Sequence, residues 1–307
     1  MKSITSLEEL CAFLKLEPAD CQKVIKHPFP LLLPMRLAKK IEKGTLDDPI
    51  LRQFVPLCDE QLITAGFSSN PVGDVEASCA PKLLKKYNSR VLLITSPACA
   101  MNCRFCFRRE FEYQSGPFDE EIALIEQDTT LREVILSGGD PLSLSNNGLK
   151  RLISRLESIP HLKRIRFHTR YPIGFPERID AEFLSLFKSP LQFWFVIHCN
   201  HPKELDDEVV QALKQIPAPI LCQTVLLKGV NNSLPVLKEL CEKLIDNGFI
   251  PYYLHQLDKV SGAAHFEVSE AEGGELVNSL AAEISGYGLF RYVKEVAKAS
   301  GKVDVMH

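Results

Sequence analysis

The chain has 307 residues, of which 45% are hydrophobic and 24% are charged. This composition is ordinary for a folded globular protein and excludes a disordered or fibrous chain. The net charge is −3, from 36 basic and 39 acidic residues, so the surface creates no strong field for nucleic acid or an acidic membrane. A small-molecule substrate is therefore the simpler expectation.

The start of the chain and its cysteines indicate the compartment. Residues 1–13 contain no apolar core of signal-peptide length and carry two glutamates, so we expect no secretory signal. The most apolar runs are too short to span a bilayer. Ten cysteines without an export signal favour a reducing environment, where clustered cysteines more often bind metal or carry out redox chemistry than form disulfides. We expect a cytoplasmic protein with no membrane partner.

The first quarter of the chain is predicted to be helical. Ser6, followed by two glutamates, begins one helix, Pro18 begins another, and a third is expected over 35–43. The stretch 66–81 contains two glycines and two prolines with little periodicity, which indicates a loop. We therefore expect residues 1–81 to form a helical extension and a linker.

From Arg90 onward, short β-branched or aromatic runs alternate with amphipathic helical stretches. Strands are predicted at 91–95, 133–137, 164–168, 193–198, 219–226 and 250–256. Helices are predicted at 119–127, 148–158, 180–187, 205–215 and 234–246. Six βα units with near-continuous apolar strands imply a buried parallel sheet, either an incomplete barrel or an open doubly wound sheet. Both architectures place ligands at the carboxyl ends of the strands.

Cys99, Cys103 and Cys106 form a CxxxCxxC motif directly after the first of these strands. Three thiolates at this spacing can hold a cubane iron–sulfur cluster and leave one iron free to chelate a substrate. The alternative is a structural zinc site, which needs a fourth ligand. The candidates for that ligand elsewhere in the chain are His168, His198 and Cys199. On spacing alone, both kinds of site remain open.

The cysteine motif and the strand that follows it resemble radical S-adenosylmethionine enzymes. That superfamily has an aromatic residue before the last cysteine, here Phe105, and places the motif after the first strand of a partial (β/α)6 barrel. The sequence SGGDPL resembles its methionine-binding turn, at Gly138, Gly139 and Asp140. Glycine lets the backbone approach a ligand closely, and a carboxylate can accept hydrogen bonds from an ammonium group. The resemblance implies a 4Fe–4S cluster on the three cysteines and bound S-adenosylmethionine.

Further motifs resemble the lysine 2,3-aminomutase family. They occur in the family's order from about Val72 to Val305 and are CRFCFRR, SGGDPLSLS, FHTRYP, IHCNHP, QTVLLKGVN, YYLHQLD and SGKVDV. The chain looks most like a bacterial branch that makes (R)-β-lysine for elongation factor P, to which a separate lysyl ligase attaches it. Clostridial-type members have a C-terminal extension with metal-binding cysteines. Since this chain stops at His307, we expect it to lack that zinc site.

The resemblance also implies an architecture and a reaction. Residues 82–288 would form a partial (β/α)6 TIM-like barrel of the α/β class, after the extension of residues 1–81. Residues 289–307 would carry the cofactor lysine and close the barrel mouth. The implied reaction is an isomerisation of (S)-α-lysine to (R)-β-lysine, in which nitrogen moves from the α- to the β-carbon. An electron donor such as flavodoxin or ferredoxin would reduce the cluster.

The family's pyridoxal phosphate site maps onto three positions. Lys302 matches the lysine that carries pyridoxal phosphate, although the glycine-rich run before it is reduced here to AKASGK. Arg90 matches a residue that holds the cofactor phosphate, for which a guanidinium is suited by bidentate bonding. Tyr87 matches a neighbouring contact. Without the resemblance, these residues would be interpreted as a solvated lysine near a chain end, a charge at a strand edge and a packing tyrosine.

The family's substrate contacts map onto charged residues. Arg108 matches the partner of the substrate carboxylate, with Arg109 as a substitute or simply a surface charge. Asp258 and Glu295 match the two acids that hold the side-chain ammonium, and other members have aspartate where Glu295 stands. Acid at both positions favours a basic substrate over glutamate. The alternative is that both are solvated acids at a loop and a strand end.

Two other functions remain open from the sequence. The same reaction could serve free-lysine metabolism, without a link to elongation factor P or its ligase. A non-catalytic iron–sulfur or zinc protein could bind a partner, but it would not need Lys302, Arg90 and Asp258 together. No nucleic-acid partner is expected. A homo-oligomer is compatible with the sequence, which does not define the oligomeric state.

Overall fold

The computed structural model of the protein describes residues 2–297 and 299–306. The β-strands are, in chain order, β1 (Ser3–Ile4), β2 (Leu33–Pro34), β3 (Ser78–Ala80), β4 (Leu83–Tyr87), β5 (Arg90–Ser96), β6 (Glu133–Gly138), β7 (Arg164–Thr169), β8 (Gln192–His198), β9 (Ile220–Val225), β10 (Ile250–His255), β11 (Arg291–Lys294) and β12 (Val303–Asp304). The α-helices are α1 (Leu7–Leu14), α2 (Pro18–Cys21), α3 (Met35–Ala38), α4 (Pro49–Phe54), α5 (Asp119–Gln127), α6 (Asn146–Glu157), α7 (Tyr171–Gly174), α8 (Ala181–Ser185), α9 (Asp207–Lys214), α10 (Leu234–Asp246) and α11 (Glu270–Ala281).

One curved sheet organises the described residues. Its strand order is β3-β4-β5-β6-β7-β8-β9-β10-β11-β12, the same as the order along the chain. The strands from β5 to β11 pair in parallel, whereas the pairs β3–β4, β4–β5 and β11–β12 at the two edges are antiparallel. A doubly wound sheet reverses its strand order part-way along the sheet, and this one does not. The partial barrel expected from the sequence is therefore confirmed.

The predicted barrel strands correspond to β5 through β10, with boundaries that differ by one residue at most. Helices α5 and α10 have the predicted bounds. Helix α11 is a difference, since the sequence analysis predicted no helix there. Gly273 and Gly274 lie inside it and weaken its helical propensity, yet a Cβ on Gly273 would collide with the Tyr292 hydroxyl. Glycine is needed there because the helix packs closely on β11.

The N-terminal part is less helical than predicted. Helices α1 and α2 begin as expected, at Ser6 and Pro18, but α3 ends at Ala38, so the helix expected over 35–43 is only one turn long. Strands β1 and β2 pair with each other, and the stretch predicted as a loop contains β3. The main sheet thus crosses both expected segment boundaries, after residues 81 and 288. Met1, Lys298 and His307, which the segments 1–81 and 289–307 include, lie outside the described residues.

Apolar and polar side chains alternate along the strands. The apolar ones face the surrounding helices, and the polar ones face the barrel interior. In β7, Ile165 and Phe167 are fully buried under the helices, where Phe167 packs against Phe183 and Phe193. The intervening Arg166 and His168 line an internal cavity. Since successive side chains of a strand point to opposite faces, the pattern follows from the period of two. Among the described helices, none is both long and apolar enough to cross a bilayer.

Candidate active site

A cavity of about 560 Å³ occupies the barrel interior and opens where the strands end. A volume of this size is in the range of small-molecule sites. Apart from Arg109, the alternative to Arg108, its lining includes every residue predicted above for the cluster, the cofactors and the substrate. These residues are Tyr87, Arg90, Cys99, Cys103, Cys106, Arg108, Gly138, Gly139, Asp140, Asp258, Glu295 and Lys302.

The three cysteines reach the cavity from the loop that follows β5. The loop is held in place by backbone hydrogen bonds, including Cys106 N to Cys103 O at 3.0 Å and Arg104 N to Gln53 O at 2.8 Å. Burial raises the pKa of all three thiols, that of Cys106 to about 11. Buried thiols around one open space suit a centre whose positive iron keeps them deprotonated.

A buried ion-pair cluster fixes this loop to the N-terminal part. Arg104 is fully buried and donates from Nε and Nη2 to the two carboxylate oxygens of Glu60, at 2.7 and 2.6 Å. Arg109 Nη2 donates to the same carboxylate at 2.7 Å. The side chain of Arg109 is 1% exposed, so its interpretation as a surface charge is wrong. Its bonds hold the loop, which leaves Arg108 as the arginine of this pair that lines the cavity.

Two glycines let the end of β6 lie against the start of the cysteine loop. Gly138 has a φ of +120°, and a Cβ there would lie 2.8 Å from the carbonyl oxygen of Ser96. A Cβ on Gly139 would collide with the backbone of Ala98. Asp140 N donates to the Ala98 carbonyl at 2.8 Å. The SGGD turn therefore needs glycine for its own packing, besides any ligand that it binds.

The carboxylate of Asp140 is already engaged by protein donors. It accepts hydrogen bonds from the Thr169 hydroxyl at 2.7 and 2.9 Å and from the backbone N–H groups of Arg170, Tyr171 and Leu142 at 2.8, 3.1 and 3.0 Å. Burial nevertheless raises its pKa to about 6. In this structure Asp140 organises the backbone after β7, and its direct contact with S-adenosylmethionine stays a prediction.

The C-terminal hairpin brings Lys302 and Glu295 into the cavity together. Strands β11 and β12 pair in antiparallel fashion, which places the two residues at the same end of the hairpin. Lys302 Nζ contacts Glu295 Oε2, and the Tyr87 hydroxyl donates to Glu295 Oε1 at 2.5 Å. The Lys302 side chain is 24% exposed, which differs from the freely solvated lysine that a chain end would predict. The Arg90 guanidinium stacks on the Tyr87 ring, 4.4 Å from its centre.

Oppositely charged side chains also form ion pairs in the part of the cavity near Glu295. Asp74 Oδ2 accepts a hydrogen bond from Arg108 Nε at 2.6 Å, and Asp74 Oδ1 forms an ion pair with Lys86 Nζ at 2.7 Å. Lys86 Nζ also lies 3.8 Å from Glu295. Burial raises the pKa of Asp258 to about 7, with Lys302 opposing this rise and Glu295 adding to it. For Glu295 burial raises the pKa, but the charge and hydrogen bond of Lys302 outweigh it and the pKa lies below its usual range. Of the two acids expected to bind the substrate ammonium, Glu295 therefore has a lowered pKa and Asp258 a raised one.

One lining residue, Arg166, was not singled out from the sequence, and another, His168, was considered only as a possible fourth zinc ligand. Arg166 pairs with Glu133 at 2.7 Å, and the buried His168 Nε2 has no hydrogen-bond partner among the described residues. Burial and the charge of Arg166 hold the pKa of His168 well below its usual value, so this imidazole is neutral. The signal was the alternation in RIRFHT, where polar residues occupy every second position of a strand that is otherwise apolar.

Comparison with known proteins gives the family. Residues 93–215 match the Radical SAM superfamily. The chain is 42% identical to L-lysine 2,3-aminomutase from Haemophilus influenzae, over 89% of this chain and 84% of the relative. It is 39% identical to the Escherichia coli enzyme of the same name, over 98% and 92%. The Clostridium subterminale enzyme is 33% identical, over 99% and 76%. The chain belongs to the L-lysine 2,3-aminomutase family.

A solved structure supports the fold of this family member. SuiB from Streptococcus suis superposes with a TM-score of 0.53 at 15% identity, over 70% of this chain and 51% of SuiB. The family is one of isomerases, and its cofactors are a 4Fe–4S cluster, S-adenosylmethionine and pyridoxal phosphate. The residues present fit these groups, because three thiols, a buried imidazole nitrogen without a partner and an arginine line one cavity.

A single-ion metal site is not preformed in the part of the chain that the structure describes. No group of three or more His, Cys, Asp or Glu side chains there converges on one ion. Tetrahedral zinc would need four such donors. The three cysteines are not brought together on one ion either, so family membership, and not this geometry, favours the cluster over the zinc alternative.

Proposed function

We propose that the protein is a lysine 2,3-aminomutase that converts (S)-α-lysine to (R)-β-lysine. The observation that supports this most is the convergence of the cysteine loop, Lys302 and the two acids Asp258 and Glu295 on one cavity. These groups lie up to 203 positions apart in the sequence, counted from Cys99 to Lys302. A merely structural metal site would not require an amine and two acids to face the cysteines.

In this proposal each cofactor has its own set of residues. Cys99, Cys103 and Cys106 hold the cluster, and the turn at Gly138, Gly139 and Asp140 binds S-adenosylmethionine. Lys302 carries pyridoxal phosphate, Arg90 holds its phosphate and Tyr87 lies beside it. When bound, S-adenosylmethionine and the cluster supply the radical that takes hydrogen, and pyridoxal phosphate supplies the conjugated system through which nitrogen migrates.

The substrate is held at both ends by charged residues. Arg108 binds the carboxylate, and its orientation is fixed by the 2.6 Å bond from Nε to Asp74. Asp258 and Glu295 accept the side-chain ammonium. The contact of Lys302 Nζ with Glu295 supports this role, because it has the same chemistry, an alkylammonium on a carboxylate. Pairing the substrate's ends fixes the β-carbon in one place and excludes shorter amino acids.

The C-terminal segment 289–307 is proposed to close the barrel mouth. Tyr292 and Val293 are buried in β11, which extends the parallel sheet beyond β10. Lys294 pairs with Glu270 of α11 at 2.7 Å on the outside. The segment thus excludes water from the side of the cavity where Glu295 and Lys302 lie.

We further propose that the product serves elongation factor P, through a separate lysyl ligase, in the cytoplasm. The resemblance of the sequence motifs to the bacterial branch supports this assignment. The cysteines all have free thiols, which fits a reducing compartment. Electrons would come from a flavodoxin or ferredoxin.

Anaerobic reconstitution with iron, sulfide and pyridoxal phosphate tests the reaction. With lysine, S-adenosylmethionine and a chemical reductant, the holoprotein should form β-lysine, and borohydride should fix the coenzyme on the peptide that contains Lys302. Cys103→Ala should lose iron and S-adenosylmethionine cleavage, whereas the exposed Cys58→Ala should keep both. Stoichiometric zinc without iron uptake, or label on another lysine, would contradict the assignment.

Deletion of the gene tests the cellular role. Elongation factor P from the deleted strain should lack the mass of one β-lysyl group, and added (R)-β-lysine should restore it. An unchanged mass of the factor would reject this role while leaving the aminomutase reaction in place.

A further inference from the structure

A buried arginine contacts one of the cluster cysteines. Arg170, the residue after β7, donates from Nη1 to Cys103 Sγ at 2.9 Å. Its own backbone N–H donates to Asp140, so it also joins the cysteine loop to the SGGD turn. None of the roles proposed above uses this side chain.

The Arg170 guanidinium is held by several contacts with the protein. Nη2 donates to Glu204 Oε2 at 2.8 Å and to Gln53 Oε1, and the guanidinium stacks on Phe54 at 4.7 Å. Arg170 is 6% exposed, and its Nε atom is buried without a partner among the described residues. The guanidinium therefore lines the cavity beside Cys103 with both terminal nitrogens already bonded to protein atoms.

The counter-ion of Arg170 is held equally firmly. Glu204 is fully buried, and its Oε1 accepts from Asn200 N at 3.2 Å, His201 N at 3.0 Å and Gln53 Nε2 at 3.0 Å. Charge is thus arranged in a line, from the carboxylate through the guanidinium to the sulfur. Buried charges in such a line are poorly screened, and the nearer charge acts more strongly on the sulfur.

We propose that Arg170 is a positioning residue that orients Cys103 and, through its charge, favours one-electron reduction of the cluster. The inference rests on the proposed function, because it requires the cluster on Cys103. Reduction adds one negative charge to the cluster, and a cation hydrogen-bonded to a ligand sulfur stabilises that charge. Hydrogen bonds to cluster sulfurs and nearby charges are known determinants of cluster potentials.

The experiment is a redox titration of the reconstituted holoprotein, followed by electron paramagnetic resonance, without S-adenosylmethionine or lysine. In Arg170→Gln the equilibrium constant for reduction should fall about tenfold, which is 59 mV for a one-electron couple. Arg170→Lys should restore most of the loss. Arg155→Gln, which removes an exposed arginine paired with Asp119, should leave the potential unchanged.

For a variant that lacks the counter-ion Glu204, the proposal predicts a shift of the reduction potential in the opposite direction. Glu204→Gln leaves the guanidinium without its carboxylate and should make reduction easier than in the wild type. Equal potentials for wild type, Arg170→Gln and Glu204→Gln would overturn the proposal, as would shifts of the same sign in both variants. If Arg170→Gln loses its cluster, a Glu204→Gln protein that is not easier to reduce than the wild type would still overturn the proposal.

Iron content separates this inference from the proposed function. It is measured on the wild type before any titration, and a wild-type protein that takes up no iron would reject the cluster itself. A wild type with a full cluster, together with variants whose potentials do not move, would reject only the role of Arg170.

Discussion

At the scale of single residues, the cavity sets the protonation of its acids. Burial raises the pKa of Asp258 to about 7, so about half of this carboxyl is neutral near that pH when the pocket is empty. A lysine ammonium binds the ionised form better. The KM for lysine should therefore fall as pH rises through about 7. Asp258→Asn should raise this KM about 30-fold or more, as expected for a desolvated charge pair with one partner removed, and flatten the pH profile.

The same residue makes a prediction for stability. A carboxyl whose pKa is higher in the folded than in the unfolded protein costs stability as pH rises from about 4 towards 7. The melting temperature of Asp258→Asn relative to wild type should therefore increase between pH 5 and pH 8, by calorimetry of the lysine-free protein. The exposed Asp246→Asn is the control and should show no such trend. A flat difference for Asp258→Asn would mean that this acid is ionised throughout.

At the scale of elements, the cysteine loop depends on a segment far away in sequence. Burial raises the pKa of Glu60, but the hydrogen bonds and charges of Arg104 and Arg109 outweigh it, so the pKa lies below its usual value. The resulting stability is present above about pH 4.5 and is lost as pH falls below it. Glu60→Ala should cost about 3–5 kcal/mol in the free energy of unfolding, because two buried guanidiniums lose their partner.

Denaturant unfolding with parallel iron analysis checks this prediction. Asp47→Asn removes an exposed partner of Arg52 and should cost less than about 1 kcal/mol, with iron content unchanged. Glu60→Ala should also bind less iron per folded chain, because the loop of Cys103 and Cys106 loses its anchor. A Glu60→Ala protein with wild-type stability and wild-type iron content would show that the cysteine loop keeps its position without Glu60.

The elements also show what the sequence could and could not predict. The strands β5 to β10 were predictable because they are apolar runs bounded by helical periodicity, and the cysteine spacing marked the loop. Contacts such as Glu60 with Arg104 were not, since nothing local in the sequence links residues 44 positions apart. Helix α11 was missed although Ser269 and Glu272 form a capping box at its start, because two glycines concealed its periodicity. The inward-facing Arg166 and His168 were detectable from alternation alone.

At the scale of the whole molecule, one sheet brings two chemistries, that of the cysteine cluster and that of Lys302, to the same cavity. The cysteine loop follows β5, and Lys302 lies on the hairpin at the far edge of the sheet. Strand β12 contributes two half-buried residues, Val303 and Asp304. The barrel core, in contrast, includes Phe290, Tyr292 and Val293 of the preceding segment. The core should therefore tolerate loss of the last residues but not of β11.

Two deletions test whether the fold requires β11 but not the residues after it. Removal of residues 299–307 should leave a folded protein that binds iron and cleaves S-adenosylmethionine to 5′-deoxyadenosine, but that lacks the visible absorbance of bound pyridoxal phosphate and forms no β-lysine. Removal of residues 289–307 should unfold the barrel, since each buried aromatic alone contributes about 3–5 kcal/mol. Circular dichroism, iron content and product analysis distinguish the outcomes. If the shorter deletion abolished iron binding as well, the hairpin would be part of the cluster site, and the two chemistries would depend on each other through the fold itself.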